Sequence, residues 1–418
     1  MWQKTGIRFL VRCILVVLWC CLIIQCENRA KIEETNENQK QTPRVLKIDP
    51  NKRFSGWSVV KEFGIQRRYL RWIFPIKDRY LGQQVMESSE REYKLFVVDK
   101  SGKEIKHVII ARGQGPEEIM GLIPETLTLS KDERRVSFYD GGYYLKSLDI
   151  ESFKIHTINK IDTIIKRYGS HYYIGRHGTT SFETKGNLVV TSFESSGFFS
   201  DHVYDLVMYH GPFDKFQIIA SLKKGIPKWL KESHNSKNRI ITIDYYDRLR
   251  YARLFSVDWK REMIYVIPDI ETPEIERIEF GGRKTMICLD INSKTYLINR
   301  SAFNLYFAWY NDNQNPILKK TLDFEFRLLP HAPALQGIKV IGDWLLIITG
   351  NRDWDRNENE VLVFLIPSLE YQGSFPIPFP NPPDLSIKWG DGYFSMHNII
   401  EHEDDYLSHH QIFRYKIR

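Results

Sequence analysis

The sequence predicts an all-β chain closed as a β-propeller of six four-stranded antiparallel blades, with seven blades as the alternative. Three observations predict it. Apolar or alternating runs of roughly four to eight residues, rich in β-branched and aromatic side chains, recur along the body with turn residues between them. Helical periodicity is confined to two short stretches, residues 161–168 and 226–233. The runs number about 24–28, which at about four to a sheet makes six or seven sheets, more than a single twisted sheet holds without splitting. Small blades packed face to face around an axis protect most strand edges, so a ring is the favoured closure.

The strands follow in order. Residues 93–99 form the first clear run, and a Lys100-Ser101-Gly102 turn leads into a second at 104–110. Further runs lie at 135–139, 143–149, 153–158, 188–193, 204–209, 216–220 and 263–267. The C-terminal part adds 305–310, 344–349, 361–366 and 411–417. Tyr (22) and Phe (24) are abundant, and both favour extended structure.

Composition sets the class. With 418 residues, 42% apolar and 27% charged, the chain can bury a large core without covalent staples, and a disordered or collagen-like chain is excluded. Only one long apolar run exists, which excludes a polytopic membrane protein. The formal charge is +7, three of those charges (Lys4, Arg8, Arg12) lie near the N-terminus, and no Lys/Arg block suggests nucleic acid.

The N-terminus reads as an export signal. Lys4, Arg8 and Arg12 precede an apolar run over 13–24, short for a spanning helix. The segment Leu22-Ile23-Ile24-Gln25-Cys26 resembles the lipobox of bacterial lipoproteins, although Gln25 stands where that family prefers Gly, Ala or Ser. The resemblance implies cleavage before Cys26 and acylation of its thiol and new amino group, hence a membrane-anchored protein of the cell envelope. An uncleaved helix over 9–24 is the alternative. The expected organisation is therefore a signal peptide at 1–25, a flexible tether at 26–44 and a propeller at 45–418. The tether has almost nothing to bury. Four of five cysteines fall in or next to the leader, so the body holds one thiol, Cys288, expected as a small buried hydrophobe in a strand.

Residues 95–118 carry a second likeness. A strand ends in Asp99, a Gly turn and a second strand follow, and then comes the loop Gly113-Gln114-Gly115-Pro116-Glu117-Glu118. This resembles the blade of TolB/NHL-like six-bladed propeller lipoproteins of Gram-negative bacteria, which often have Gly where Glu117 stands. The resemblance implies fold and envelope location, and little chemistry. On physical grounds Gly113 and Gly115 permit positive φ, Pro116 fixes its own φ, and Glu118 can accept backbone N–H bonds. The loop is expected to set the path from one blade to the next, with Arg112 or Glu118 as a possible ligand contact. It is no phosphate cradle, because Gly121 comes three residues too late.

Other clusters read mainly as structure. Gly281-Gly282-Arg283-Lys284-Thr285 lacks the upstream glycine of a phosphate loop. Asp353, Asp355 and Asn357 fit the first positions of a calcium loop, but Glu358 replaces its glycine and Phe364 its final Glu. A solvated hairpin is expected there, with Asp353, Trp354 and Asp355 as candidate ligand contacts and calcium as the one conceivable cofactor. His402, His409 and His410 do not make a His-Glu-x-x-His site, because Tyr406 stands in the second His position. Aromatics near loops, Tyr143, Tyr144 and Trp389 among them, suit sugar stacking or protein contact and equally pack between blades.

The leading expectation is a non-catalytic, membrane-anchored propeller that binds a protein or carbohydrate. One alternative is a metal-dependent hydrolase or lactonase with its site on the propeller axis; the other is a scaffold subunit of an envelope complex. The enzyme would need several carboxylate, amide or imidazole groups from different blades converging on one point.

Overall fold

The computed structural model describes residues 43–160 apart from 69, 77, 87–88, 123–126, 131–132 and 142–143. It then describes 172–173, 182–185, 188–195, 203–210, 216–223, 254–293 and 296, followed by 334–378 without 354 and 357, and finally 387–389, 393–402 and 407–418. The two expected helical stretches and the run at 305–310 lie outside these residues, as do the leader and most of the tether.

The described residues form 26 strands in six antiparallel sheets in a propeller arrangement. Two strands come first, β1 (Arg44–Lys47) and β2 (Trp57–Arg68). Sheet I holds β3 (Leu70–Ile76), β4 (Arg79–Met86), β5 (Ser89–Val98) and β6 (Glu104–Ala111). Sheet II holds β7 (Thr128–Leu129), β8 (Arg135–Asp140), β9 (Tyr144–Asp149) and β10 (Ile155–Lys160). In sheet III, β11 (Tyr172–Tyr173), β12 (Phe182–Lys185), β13 (Leu188–Ser195), β14 (Val203–His210) and β15 (Phe216–Lys223) assemble around β13. Sheet IV holds β16 (Phe255–Asp258), β17 (Met263–Val266), β18 (Glu274–Glu279) and β19 (Lys284–Asp290), with β1 on its outer edge. Sheet V holds β20 (Leu335–Ile341), β21 (Trp344–Asp353), β22 (Glu358–Leu365) and β23 (Glu370–Pro378). Sheet VI joins β24 (Ile387–Trp389), β25 (Tyr393–His402) and β26 (Leu407–Ile417) to β2.

Four of the six sheets have the expected four strands; sheets III and IV have five. Each sheet is built from strands consecutive in the chain, except that β1 and β2 return to sheets IV and VI. Strand β2 pairs with β26 from Trp57 opposite Ile417 to Arg68 opposite Leu407, so the second strand of the chain completes the last sheet.

Burial follows position within a sheet. In β21, six consecutive residues from Leu345 to Gly350 are buried, because both faces of an inner strand are covered by neighbouring sheets. The outer strand β6 alternates instead, with Ile105, His107 and Ile109 exposed between half-buried or buried neighbours. The core lies between sheets. Trp72, Phe74 and Leu95 of sheet I pack with Val136, Phe138 and Leu148 of sheet II. Phe255 and Ile264 of sheet IV meet Leu335 and Ile347 of sheet V. Each such side chain contributes about 1.5–3 kcal/mol when fully buried.

Candidate functional site

In this topology the turns between second and third strands of a sheet, and the crossovers from one sheet to the next, lie at the same end of the strands. The Gly-x-Gly-Pro loop is the crossover from β6 to β7. Its frame is made of backbone bonds: Gly113 N donates to Ile119 O (3.3 Å), Ile119 N to Ala111 O (3.1 Å) and Glu118 N to Gly115 O (3.2 Å). Glu118 turns back into its own loop, where its Oε2 accepts from Gly115 N at 2.7 Å. That bond was expected. The reason for the glycines is different from the one expected, because neither Gly113 nor Gly115 is among the residues with positive φ. What they supply is space: a Cβ on Gly113 would lie 2.0 Å from Glu118 Oε2, and one on Gly115 would lie 2.9 Å from its Cδ.

Beneath the loop lies a feature that sequence reading missed. Lys146 on β9 and Asp140 at the end of β8 are both fully buried, with Nζ 2.7 Å from Oδ2. The ammonium also donates to Gly115 O at 3.1 Å and to Glu118 O. Asp140 Oδ1 accepts from Gly121 N at 2.8 Å. The ring of Tyr144 sits 5.4 Å from the ammonium. A buried ammonium is tolerated only with a charge partner and carbonyl acceptors around it, and here the loop supplies the carbonyls. The sequence offered one clue, a lysine inside the apolar run at 143–149. With no exposure, Lys146 cannot reach a substrate; its chemistry is to fix the crossover against sheet II.

The same pair of sheets is tied at the opposite end. Glu151, in the turn after β9, receives Arg79 Nη1 at 3.2 Å and Lys106 Nζ at 3.0 Å. Lys106 holds the Glu151 carboxyl below its ordinary range, aided by Arg79. Sheets IV and V have a matching tie, in which Arg261 bridges Asp258 (3.0 Å) and Asp343 while Lys260 reaches Asp343 at 3.1 Å. Asp99 and Asp149 close equivalent turns after the third strands of sheets I and II. Each accepts from the backbone N–H and hydroxyl of a serine, Ser101 in one and Ser152 in the other, and each is held below its ordinary pKa by these bonds.

Held this way, the loop directs Arg112, Gln114, Pro116 and Glu117 outward. Arg112 is oriented by a bond from its Nε to Met120 O at 3.2 Å. The hairpin of Asp353 and Asp355 lies at the same end of the strands, on sheet V. Strands β21 and β22 run on to Asp353 opposite Glu358. Asp353 Oδ1 accepts from Asp355 N (3.1 Å) and Arg356 N (3.0 Å), which makes it the organiser of its own turn. The hairpin rests on a buried amide, Asn359, whose Nδ2 donates to Gln336 Oε1 (3.1 Å) and Thr349 O (2.9 Å). Trp354, Asn357 and Cys26 lie outside the described residues. Among the described residues no group of three or more His, Cys, Asp and Glu is placed to hold a metal ion.

The remaining motifs take structural places. Gly282, at φ +91°, closes the β18–β19 turn by donating to Glu279 O at 2.8 Å, and a strand follows it. The histidine segment is a β25–β26 hairpin with Glu401 opposite His409. Cys288 lies on β19 as expected but is half-buried, with Sγ 3.7 Å from Glu274 Oε1. Its thiol pKa is raised, first by burial and then by the Glu274 charge. Described aromatics pack between sheets, as in the stack of Trp57 on Phe375 at 4.9 Å.

No protein-family model matches the sequence, and no curated protein matches it. Solved structures are similar in fold. An oligogalacturonate lyase in complex with manganese shares 8% identity at a TM-score of 0.42, over 83% of this chain and 75% of that one. A protein of unknown function from Bacteroides thetaiotaomicron shares 10% identity at 0.42, over 87% and 76%. The WD40 repeats of RRP9 share 8% identity at 0.39, over 88% and 99%. At these values the three carry no argument about what this chain binds or catalyses.

Proposed function

We propose that the chain is a six-bladed propeller, exported and anchored to a membrane of the cell envelope through acylated Cys26, that binds a protein or carbohydrate with the loops at the crossover end of its sheets. The observation that carries this reading is the loop at 112–118. Its backbone is held from within by Glu118 and from below by Lys146, while Arg112, Gln114 and Glu117 face solvent. A loop fixed before binding loses little entropy on contact, which is the property of a recognition surface. Six sheets closed by β2 support the blade count, and the basic, apolar and Cys26 sequence supports the anchor.

Two measurements test it. Mass spectrometry of the envelope-extracted chain should find an acylated N-terminal Cys26, and Cys26→Ala should move the protein from the membrane to the soluble fraction. An unmodified thiol behind an intact leader would refute the anchor. Elemental analysis of the purified chain addresses the binding reading. One equivalent of calcium or zinc would overturn it in favour of a metal-dependent enzyme.

A further inference from the structure

Closure of the last sheet by β2 leaves unexplained why the residues before it also follow the rim. Strand β1 lies on the outer edge of β19, with Leu46 buried in the core of sheet IV. The chain then crosses the outer strand of sheet V. Phe54 N donates to Ser374 O (2.9 Å), and Ser374 N donates to Lys52 O (3.0 Å). Arg53 Nη1 reaches Ser374 Oγ (2.9 Å), and Lys52 Nζ reaches Tyr371 O (2.8 Å). The ring of Phe54 packs edge-on against Trp344 at 5.3 Å and lies 6.3 Å from Phe375.

Gly373 makes this crossing feasible. It stands at φ +128°, and a Cβ there would lie 2.6 Å from Phe54 N and 2.7 Å from Arg53 C. Two backbones meet where no side chain fits, a contact that only glycine permits. We propose that residues 45–56 form a clasp, distinct from ring closure by β2, which covers the outer edges of β19 and β23 and opens as a unit while the ring stays closed. The clasp is one strand thick, contributes few buried side chains beyond Leu46 and Phe54, and lies on the outside, which places it at the low-stability end of the fold. Its opening leaves the backbone N–H and C=O of Ser374 on β23 unpaired, the kind of edge group to which another extended segment can pair.

The test is tryptic cleavage after Lys47 and Lys52 of the full chain, read by mass spectrometry beside far-UV circular dichroism and amide exchange at Ser374. Gly373→Ala blocks the crossing from the β23 side, and Phe54→Ala removes its anchor without altering β23. Gly102→Ala is the control, since Gly102 has φ +83° in the β5–β6 turn of sheet I, so it adds strain away from the clasp. Both clasp variants should be cut about tenfold faster or more, with Ser374 exchanging in step and the strand spectrum unchanged. Unaltered cleavage in both variants, equal acceleration in Gly102→Ala, or loss of the strand spectrum at the rate of cleavage would each overturn the proposal.

Discussion

Replacing Lys146 with methionine keeps an unbranched side chain one atom shorter and removes its charge. Asp140 then keeps one donor, Gly121 N at 2.8 Å, the Glu118 carbonyl loses the ammonium, and the Gly115 carbonyl keeps only Glu118 N at 3.2 Å. Both members of the pair have no exposure, so water cannot replace the ammonium without opening the crossover. Removing one partner from a buried pair costs about 3–5 kcal/mol, a large part of the about 5–15 kcal/mol that holds a typical domain together. Asp140→Asn keeps an acceptor for Gly121 and leaves the ammonium unpaired, so its cost falls in the same range. The double variant removes both charges and should recover at least about 2 kcal/mol of the summed losses, since no buried charge remains. Urea unfolding followed by tryptophan fluorescence measures all three, and amide exchange at Gly113 and Ile119 shows whether the loop loosens first. A cost below about 1 kcal/mol for Lys146→Met, the range of a surface pair, would refute the reasoning, as would strict additivity in the double variant.

Three further outcomes are expected. Gly113→Ala should displace the Glu118 carboxylate and cost about 1–3 kcal/mol, yet cost little more in a Glu118→Ala background; denaturation of the single and double variants measures that coupling. Asp99, Asp149, Glu151 and Asp343 all have folded pKa values below their ordinary 3.8 or 4.5. Their stabilisation is therefore complete above those values and fades as pH falls through the folded ones; a thermal midpoint that rises between pH 5 and pH 3 would contradict this. The Cys288 thiol, raised by burial and by Glu274, should react with iodoacetamide at pH 8 more slowly than a free thiol, and Glu274→Gln should speed it.

Much of the architecture is legible in the chain because strand signals are local. The runs at 93–99, 104–110, 188–193 and 361–366 all lie in or across described strands, since alternation and β-branching act over a few residues. Strands between residues 57 and 86 gave a weaker signal, because charged residues such as Lys61, Arg67 and Arg68 interrupt β2. That Glu118 accepts a backbone N–H was legible for the same reason of locality. The role of the two glycines was not, because the chain reads equally well whether a glycine serves φ or space. Only the position of the Glu118 carboxylate separates the two.

The sequence alone determined the strand content, because strand signals depend on residues close together in the chain, and the single thiol of the body, Cys288. Tertiary structure alone decided that Lys146 meets Asp140 under a loop some thirty residues upstream. It also decided that Gly373 lies against Arg53 and Phe54, and that β2 completes the sheet begun at β24. Those pairings join segments whose separation carries no local signal. They exist because a ring brings distant edges together, and a buried charge or a bare backbone contact there is tolerated only where the fold supplies its partner.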